Sequence, residues 1–251
     1  MCCLFGFVDY AGSLSVKQRN RLIRELSIAA EARGTDATGI AYNTSRGLQV
    51  YKRPLAAHRL HLRIPAEARA VMGHTRMTTQ GSAKKNYNNH PFFGHVKEES
   101  FALAHNGVLW NDLELRHAKH LPRTKVQTDS YIAVQLLEQK KSLDFDSLRY
   151  MAEQVEGSFS FTVLDEQSAL WIVKGDSPLS IAYFPERGVY VYASTVEILN
   201  KALTRCGKQL GHRRTVEVEM GDLLKIDRRG HITRATFDAS KLCRPSWEYW
   251  S

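Results

Sequence analysis

Cys2 offers two reactive groups at one position. If Met1 is removed, this residue carries both a thiol and a free α-amine. A thiol is a good nucleophile only as the thiolate, and an α-amine, which titrates at about pH 8, can accept the thiol proton. Cys2 could therefore act as a nucleophile with its own base. The alternative is that Cys2 and Cys3 are small buried residues at the start of a strand, since free cysteine is often buried.

A polar segment follows a predicted strand and contains a candidate carboxylate ligand. Residues 73–81 read GHTRMTTQG. Arg76 offers a fork of donors that matches a carboxylate, and Thr79 and Gln80 add neutral hydrogen-bonding groups. Polar loops at strand ends often hold binding sites. An ordinary surface arginine within a turn would be compatible with the same residues.

Asn106 and Gly107 could stabilise an oxyanion. They follow the predicted strand at residues 101–104. The side-chain amide of Asn106 is a donor, and a glycine lets its backbone N–H approach a ligand closely. Together they would suit the oxyanion hole of an acyl transfer. Asn-Gly is also a common hairpin turn, which is the structural alternative.

Asp129 is the fourth candidate and stands in the segment QTDSY. Thr128 and Asp129 could simply cap a helix and complement its dipole. Asp129 could instead bind a cationic substrate group. One arginine for a carboxylate and one aspartate for an ammonium indicate a pocket for a free amino acid.

The elements that must position these residues are read from periodicity and turn signals. A capping box of Ser15 and Gln18 opens the first helix, and residues 75–93 form a long polar loop. Strand runs with helices between them favour one α+β domain with large antiparallel sheets covered by helices. Helices are predicted at residues 15–33, 128–139, 148–155 and 194–203. Strands are predicted at residues 1–10, 39–42, 48–52, 70–74, 101–104, 159–164, 169–174, 180–183, 188–193, 215–219, 223–226 and 232–236.

The order of the candidate residues resembles that of the class II glutamine amidotransferases, whose glutaminase domain is an N-terminal-nucleophile hydrolase. The shared order is a terminal cysteine, an arginine loop, Asn-Gly and an aspartate. The chain is similar to the glutaminase domains of glucosamine-6-phosphate synthase and phosphoribosyl-pyrophosphate amidotransferase over about residues 2–235. Further segments that resemble the family are RGTDATGIA (33–41), NHP (89–91), GSF (157–159), SPL (177–179) and AS (193–194).

This resemblance implies a fold and a set of residue roles. The fold would be a four-layer αββα sandwich of two antiparallel sheets. The implied roles are nucleophile (Cys2), oxyanion hole (Asn106 and Gly107), α-carboxylate ligand (Arg76), α-ammonium ligand (Asp129) and pocket lining (Thr79 and Gln80). Three positions depart from the family pattern: Cys3 replaces a usual glycine, Met77 a common tryptophan and Gln80 a common histidine.

Composition limits the class of protein. The 251 residues, 43% hydrophobic and 24% charged, predict a globular protein whose single domain spans residues 1–251, with a short aromatic tail from about residue 240. No apolar run approaches the ~20 residues of a membrane span, and no signal-peptide pattern occurs, so a cytoplasmic protein is expected. The four cysteines form no Cys-x-x-Cys pair, and we predict neither a metal nor a cofactor.

The net charge of +9 raises the question of a nucleic-acid partner. The basic residues are scattered and no basic motif with interleaved aromatic residues occurs, which argues against that role. The sequence makes no prediction of oligomeric state.

The expected function is hydrolysis of L-glutamine to L-glutamate and ammonia through a thioester on Cys2. A separate synthase partner would receive the ammonia. Two alternatives remain: an N-terminal-cysteine amidase that acts on another amide, or a non-catalytic partner-binding domain. The pairing of Arg76 with Asp129 argues against the first alternative, because that pair would select a free amino acid.

Overall fold

The first strand, β1 (Cys3–Asp9), is buried along its whole length and lies inside the larger of two antiparallel sheets. The structure is a computed structural model that describes residues 2–206 and 210–243. Side chains of a strand alternate between faces. Phe5 and Phe7 accordingly pack toward a helical layer, and Leu4 and Val8 pack toward the second sheet. Because both faces are covered, β1 is apolar almost throughout.

Two sheets form the centre of the molecule. The seven-stranded sheet has the order β11-β9-β10-β1-β4-β2-β3, and the six-stranded sheet has the order β13-β12-β8-β7-β6-β5. After β1, the strands are β2 (Ala37–Thr44), β3 (Gly47–Arg53), β4 (Ala70–Arg76), β5 (Phe92–His95), β6 (Ser100–Leu109), β7 (Gly157–Asp165), β8 (Leu170–Lys174), β9 (Ser180–Phe184), β10 (Val189–Ala193), β11 (Arg214–Val216), β12 (Asp222–Ile226) and β13 (Ile232–Thr236).

Helices cover the outer face of each sheet. The helices are α1 (Val16–Ala30), α2 (Asp112–Ala118), α3 (Tyr131–Lys140), α4 (Phe145–Gln154) and α5 (Val196–Cys206). One buried cluster joins α1 and α5 to the larger sheet, a second joins α3 and α4 to the smaller sheet, and a third lies between the sheets. These layers confirm the predicted αββα sandwich.

Several local predictions are confirmed and others are corrected. The capping box of Ser15 and Gln18 is present at the start of α1, and a turn of 3-10 helix continues from Glu31 to Arg33. The polar stretch at residues 75–93 is not all loop, because it contains the end of β4 and the start of β5. The hairpin alternative for Asn106-Gly107 is wrong. Both residues lie inside β6 and pair with β7.

The remaining differences lie at element ends and outside the described residues. Helix α2 has no counterpart among the predictions, and β11 ends at Val216 rather than at residue 219. No helix in residues 2–206 and 210–243 is long and apolar enough to cross a membrane. Met1, on whose removal the chemistry of Cys2 depends, and residues 244–251, which are most of the predicted aromatic tail, lie outside the described residues.

Candidate active site

The candidate residues meet at one end of the sandwich, where strands of both sheets end or begin. Cys3 pairs with Thr75 across β1 and β4, so Cys2 comes next to Arg76. Thr75 donates to the carbonyl oxygen of Ala30 in α1 and therefore faces the helical layer. By strand alternation, Arg76 faces the second sheet, which carries Asn106.

The Cys2 thiol is partly buried. Its Sγ lies 3.6 Å from the carbonyl oxygen of Met77, and its own carbonyl oxygen accepts a hydrogen bond of 2.8 Å from Nε of Arg33. Burial raises the pKa of the thiol, against the lowering effects of the Met77 carbonyl contact and of the Arg76 charge. The thiol is therefore protonated near neutral pH, and attack on a substrate requires a base beside it.

Arg33 also orients the amide of Asn106. Its Nη2 lies 3.4 Å from Oδ1 of Asn106, and because arginine can only donate, Oδ1 must be the atom that faces it. Nδ2 of Asn106 is buried and has no hydrogen-bond partner among the described residues. Such an unsatisfied buried donor costs about 1–3 kcal/mol and is suited to a ligand atom.

Gly107 is required by its backbone geometry. Its φ is +146°, and an added Cβ would lie 1.8 Å from the carbonyl oxygen of Ser158 on the paired strand. Only glycine fits there without moving β7 away from β6.

We expect Gly107→Ala to destabilise the fold by at least about 3 kcal/mol, because the new methyl group overlaps backbone rather than a movable side chain. The measurement is chemical denaturation. Gly47→Ala is the matched control. Its φ is also positive, at +88°, but the nearest atom to an added Cβ is 3.8 Å away, so a cost of about 1 kcal/mol is expected. Equal losses in the two variants would contradict this account.

The guanidinium of Arg76 is buried and fixed on two sides. Nη1 donates to Oδ1 of Asn89 at 2.7 Å, and Nη2 donates to the carbonyl oxygen of Gln80 at 2.5 Å. Burial lowers the pKa of Arg76, while the nearby Cys2 and Asp129 act in the opposite direction. A fixed guanidinium with remaining N–H donors can bind a carboxylate with defined geometry.

The carboxylate of Asp129 is directed by β6 and not by a helix cap. Its Oδ2 accepts from the backbone N–H of Leu109 at 2.7 Å, and α3 has no side-chain cap at Ser130. The capping alternative for Asp129 is therefore wrong. The backbone N–H of Asp129 donates to Oε1 of Gln80 at 2.8 Å. Gln80 thus contacts both Arg76 and Asp129, and Thr79 is an exposed neighbour in the same loop.

Lys52 is a supporting residue that the sequence analysis did not single out. Its Nζ donates to the carbonyl oxygens of Asn89 and Pro91 and lies over the ring of Phe92. Burial, together with the charge of Arg76, lowers the pKa of Lys52 to about 8. Lys52 therefore holds the segment whose Asn89 orients Arg76.

Three buried histidines lie behind these groups. Nε2 of His74 lies 2.9 Å from the carbonyl oxygen of His105, so it donates and joins β4 to β6 across the sandwich. Burial lowers the pKa of His74 to about 3, and it also lowers the pKa of His90 and of His105. Both ring nitrogens of His90 lack a partner among the described residues.

These histidines give the stability a pH dependence of known sign. Below the ordinary pKa of 6.5 the unfolded chain binds protons that the folded chain does not, so stability falls as pH falls from about 6.5 toward 3. We expect His90→Leu to flatten this loss by up to about 1.4 kcal/mol per pH unit in denaturation at pH 6.5 and 5. The exposed His117→Gln is the control. A slope for His90→Leu equal to that of the wild type would contradict the assignment.

The structure describes no group of three or more His, Cys, Asp or Glu side chains, within residues 2–206 and 210–243, that could hold a metal ion.

Known proteins are similar to this chain in sequence and in fold. The glutamine amidotransferase domain model matches residues 74–201, about half of the chain. The glutamine–fructose-6-phosphate aminotransferase of Thermus thermophilus is 30% identical over 238 residues, which are 92% of this chain and 36% of that protein. The enzyme of the same name from Lactococcus lactis is 33% identical over 187 residues, 70% of this chain and 30% of that protein.

A solved structure supports the fold. The glutamine phosphoribosylpyrophosphate amidotransferase of B. subtilis superposes with a TM-score of 0.70 at 20% identity, over 94% of this chain and 49% of that chain. The present chain spans about a third of the length of the two curated relatives. Taken together, the family match and the shared sandwich confirm the sequence prediction: the chain belongs to the class II glutamine amidotransferases, which have the N-terminal-nucleophile hydrolase fold.

Proposed function

We propose that this chain hydrolyses L-glutamine to L-glutamate and ammonia through a thioester on Cys2. The observation that carries the proposal is that Nδ2 of Asn106 is buried and has no hydrogen-bond partner within the part of the chain that the structure describes. Arg33 orients this amide while it also binds the Cys2 carbonyl oxygen. A donor held beside a nucleophile is what an acyl-transfer transition state requires.

The substrate would be recognised by its charged α-groups. Arg76 would bind the α-carboxylate with the donors that Asn89, Gln80 and Gly81 do not use, and Asp129 would accept from the α-ammonium. Thr79 and Gln80 would line the pocket. Both charged side chains are buried, so a ligand that lacked either α-group would leave one buried charge without an opposite charge from the ligand.

The chemical steps require removal of Met1. The α-amine of Cys2 would then take the thiol proton, and the thiolate would attack the side-chain amide carbon. Asn106 and the backbone N–H of Gly107 would stabilise the oxyanion. The protonated amine would return its proton to the leaving nitrogen, so that ammonia and a thioester form. Water would then release glutamate and restore the thiol.

We further propose that residues 1–251 act as one glutaminase domain, with a tail from about residue 240, and that a separate synthase partner uses the ammonia. The support comes from the longer relatives. Their name, glutamine–fructose-6-phosphate aminotransferase, pairs glutamine with an acceptor of the amino group, and this chain covers only 36% and 30% of their length.

The test is glutamate release by the purified chain, after mass spectrometry has shown that Met1 is absent. We expect turnover of L-glutamine and none of N-acetyl-L-glutamine, because acetylation removes the charge that Asp129 would bind. Turnover of the acetylated amide at a similar rate would favour an amidase of another specificity. A processed chain that hydrolyses neither compound, even with a candidate synthase present, would favour a non-catalytic binding domain.

A further inference from the structure

His105 lies behind Asp129 and shares a hydroxyl group with it. Nδ1 of His105 is 2.8 Å from Oγ of Ser130, and the same oxygen is 3.4 Å from Oδ1 of Asp129. All three residues are buried. A serine hydroxyl has one proton, so it can serve the histidine or the carboxylate, but not both.

The position of the His105 proton decides between the two. Burial lowers the pKa of His105, so the ring is neutral and carries one proton. Nε2 lies 3.4 Å from the carbonyl oxygen of Ser158, which can only accept. The proton therefore belongs on Nε2, and Nδ1 is left as an acceptor for the Ser130 hydroxyl.

Among the described residues, this arrangement leaves one oxygen of Asp129 open. Oδ2 accepts from the backbone N–H of Leu109 at 2.7 Å. With the Ser130 proton committed to His105, Oδ1 keeps its full capacity to accept a hydrogen bond. We propose that His105 is a positioning residue that keeps Oδ1 of Asp129 available to the α-ammonium of the substrate by holding the proton of Ser130. This inference rests on the proposed function, in which Asp129 binds that group.

The strand that carries His105 is itself held in place. The carbonyl oxygen of His105 accepts from Nε2 of His74 at 2.9 Å, and its ring stacks on Phe161. The hydrogen bond fixes the backbone of His105, and the ring cannot move away from Ser130 without losing its stacking on Phe161. A substitution that removes only the ring nitrogens should turn the Ser130 hydroxyl toward Asp129 and leave the packing against Phe161 in place.

The first test is steady-state kinetics of His105→Phe, which preserves a ring against Phe161 but removes the acceptor. Ser130 should then donate to Asp129 and compete with the substrate ammonium. We expect KM for glutamine to rise about tenfold or more, with kcat changed by less than about threefold. The inhibition constant of glutaramate, which is glutamine without its α-amino group, should stay the same.

Two companion variants separate this role from a packing role. His105→Gln supplies an acceptor oxygen and a donor nitrogen, and should retain a KM near that of the wild type. His105→Phe combined with Ser130→Ala removes the competing hydroxyl, and should restore most of the lost affinity. The proposal would be overturned if His105→Phe weakened the binding of glutamine and of glutaramate equally. It would also be overturned if the double variant did not regain affinity for glutamine. Thermal unfolding of each variant verifies that it is folded.

A second measurement needs only the wild-type protein. Long-range ¹⁵N–¹H NMR correlations report which imidazole nitrogen is protonated. We expect Nε2–H for His105, and an Nδ1–H tautomer would overturn the proposal whatever the kinetics show. A wild-type protein with this tautomer but no glutaminase activity would instead count against the proposed function, so the two failures are distinguishable.

Discussion

Cys2→Ala is expected to reduce glutamine hydrolysis by at least about 10⁴-fold, because it removes the atom that would form the thioester. The neighbouring thiol cannot replace it. Cys3 is fully buried in the cluster beneath the helical layer, and burial raises its pKa to about 11. The measurement is glutamate formation under saturating glutamine, with protein of verified N-terminal mass.

The matched control for this variant is Cys206→Ala. Cys206 is a buried thiol at the end of α5, far along the chain from the candidate site, and it has no role in the proposed chemistry. Its replacement should leave kcat unchanged within about twofold. Substantial hydrolysis by Cys2→Ala, at the rate of this control, would mean that the nucleophile lies elsewhere.

The second large effect is expected at Arg76 and Asp129, the two charged residues that would bind the substrate. Arg76→Lys should lower kcat/KM for glutamine by about 10²–10³-fold, since a lysine cannot serve Asn89, Gln80 and a carboxylate together. The same variant should weaken the binding of glutaramate to a similar degree, because glutaramate has the same carboxylate. The exposed Arg46→Lys is the control and should have no effect.

Asp129→Asn should show the complementary pattern. The neutral amide keeps an oxygen for the Leu109 N–H but loses the charge that attracts an ammonium. We expect a loss of at least about 10²-fold in kcat/KM for glutamine, with little change in glutaramate binding. If Asp129→Asn weakens the binding of glutaramate as much as that of glutamine, Asp129 does not bind the α-ammonium as proposed.

The large antiparallel sheets and the helices that cover them could be predicted from the sequence because their signals are local and repeated, whereas the four-layer sandwich was implied by the family resemblance. Short apolar strands with turn residues between them predict antiparallel sheets, and helix α1 is preceded by the capping box that its sequence indicates. The errors arise where pairing over long distances overrides local preference. Asn106-Gly107 has the composition of a turn, but β7 provides partners for both residues. Likewise, β5 is a strand because β6 lies beside it.

The candidate site was predictable in part for a related reason. Cys2, Arg76, Asn106 and Asp129 stand out by residue type and order. Supporting residues such as Lys52 and His105 do not, because their roles depend on contacts with residues 25–39 positions away. Arg33 lies within a recognisable segment, RGTDATGIA, but its contact with Asn106 spans 73 positions. Only the packed sandwich brings such groups together.

The central claim is that Cys2 is the processed, reactive N-terminal nucleophile of a glutamine site. The most direct measurement is the intact mass of the purified protein before and after treatment with 6-diazo-5-oxo-norleucine, a glutamine-like electrophile. We expect loss of Met1 and one adduct, located on Cys2 by peptide mapping and missing in Cys2→Ala. A processed chain that takes up no adduct with excess reagent, or one whose adduct persists in Cys2→Ala, would contradict the account.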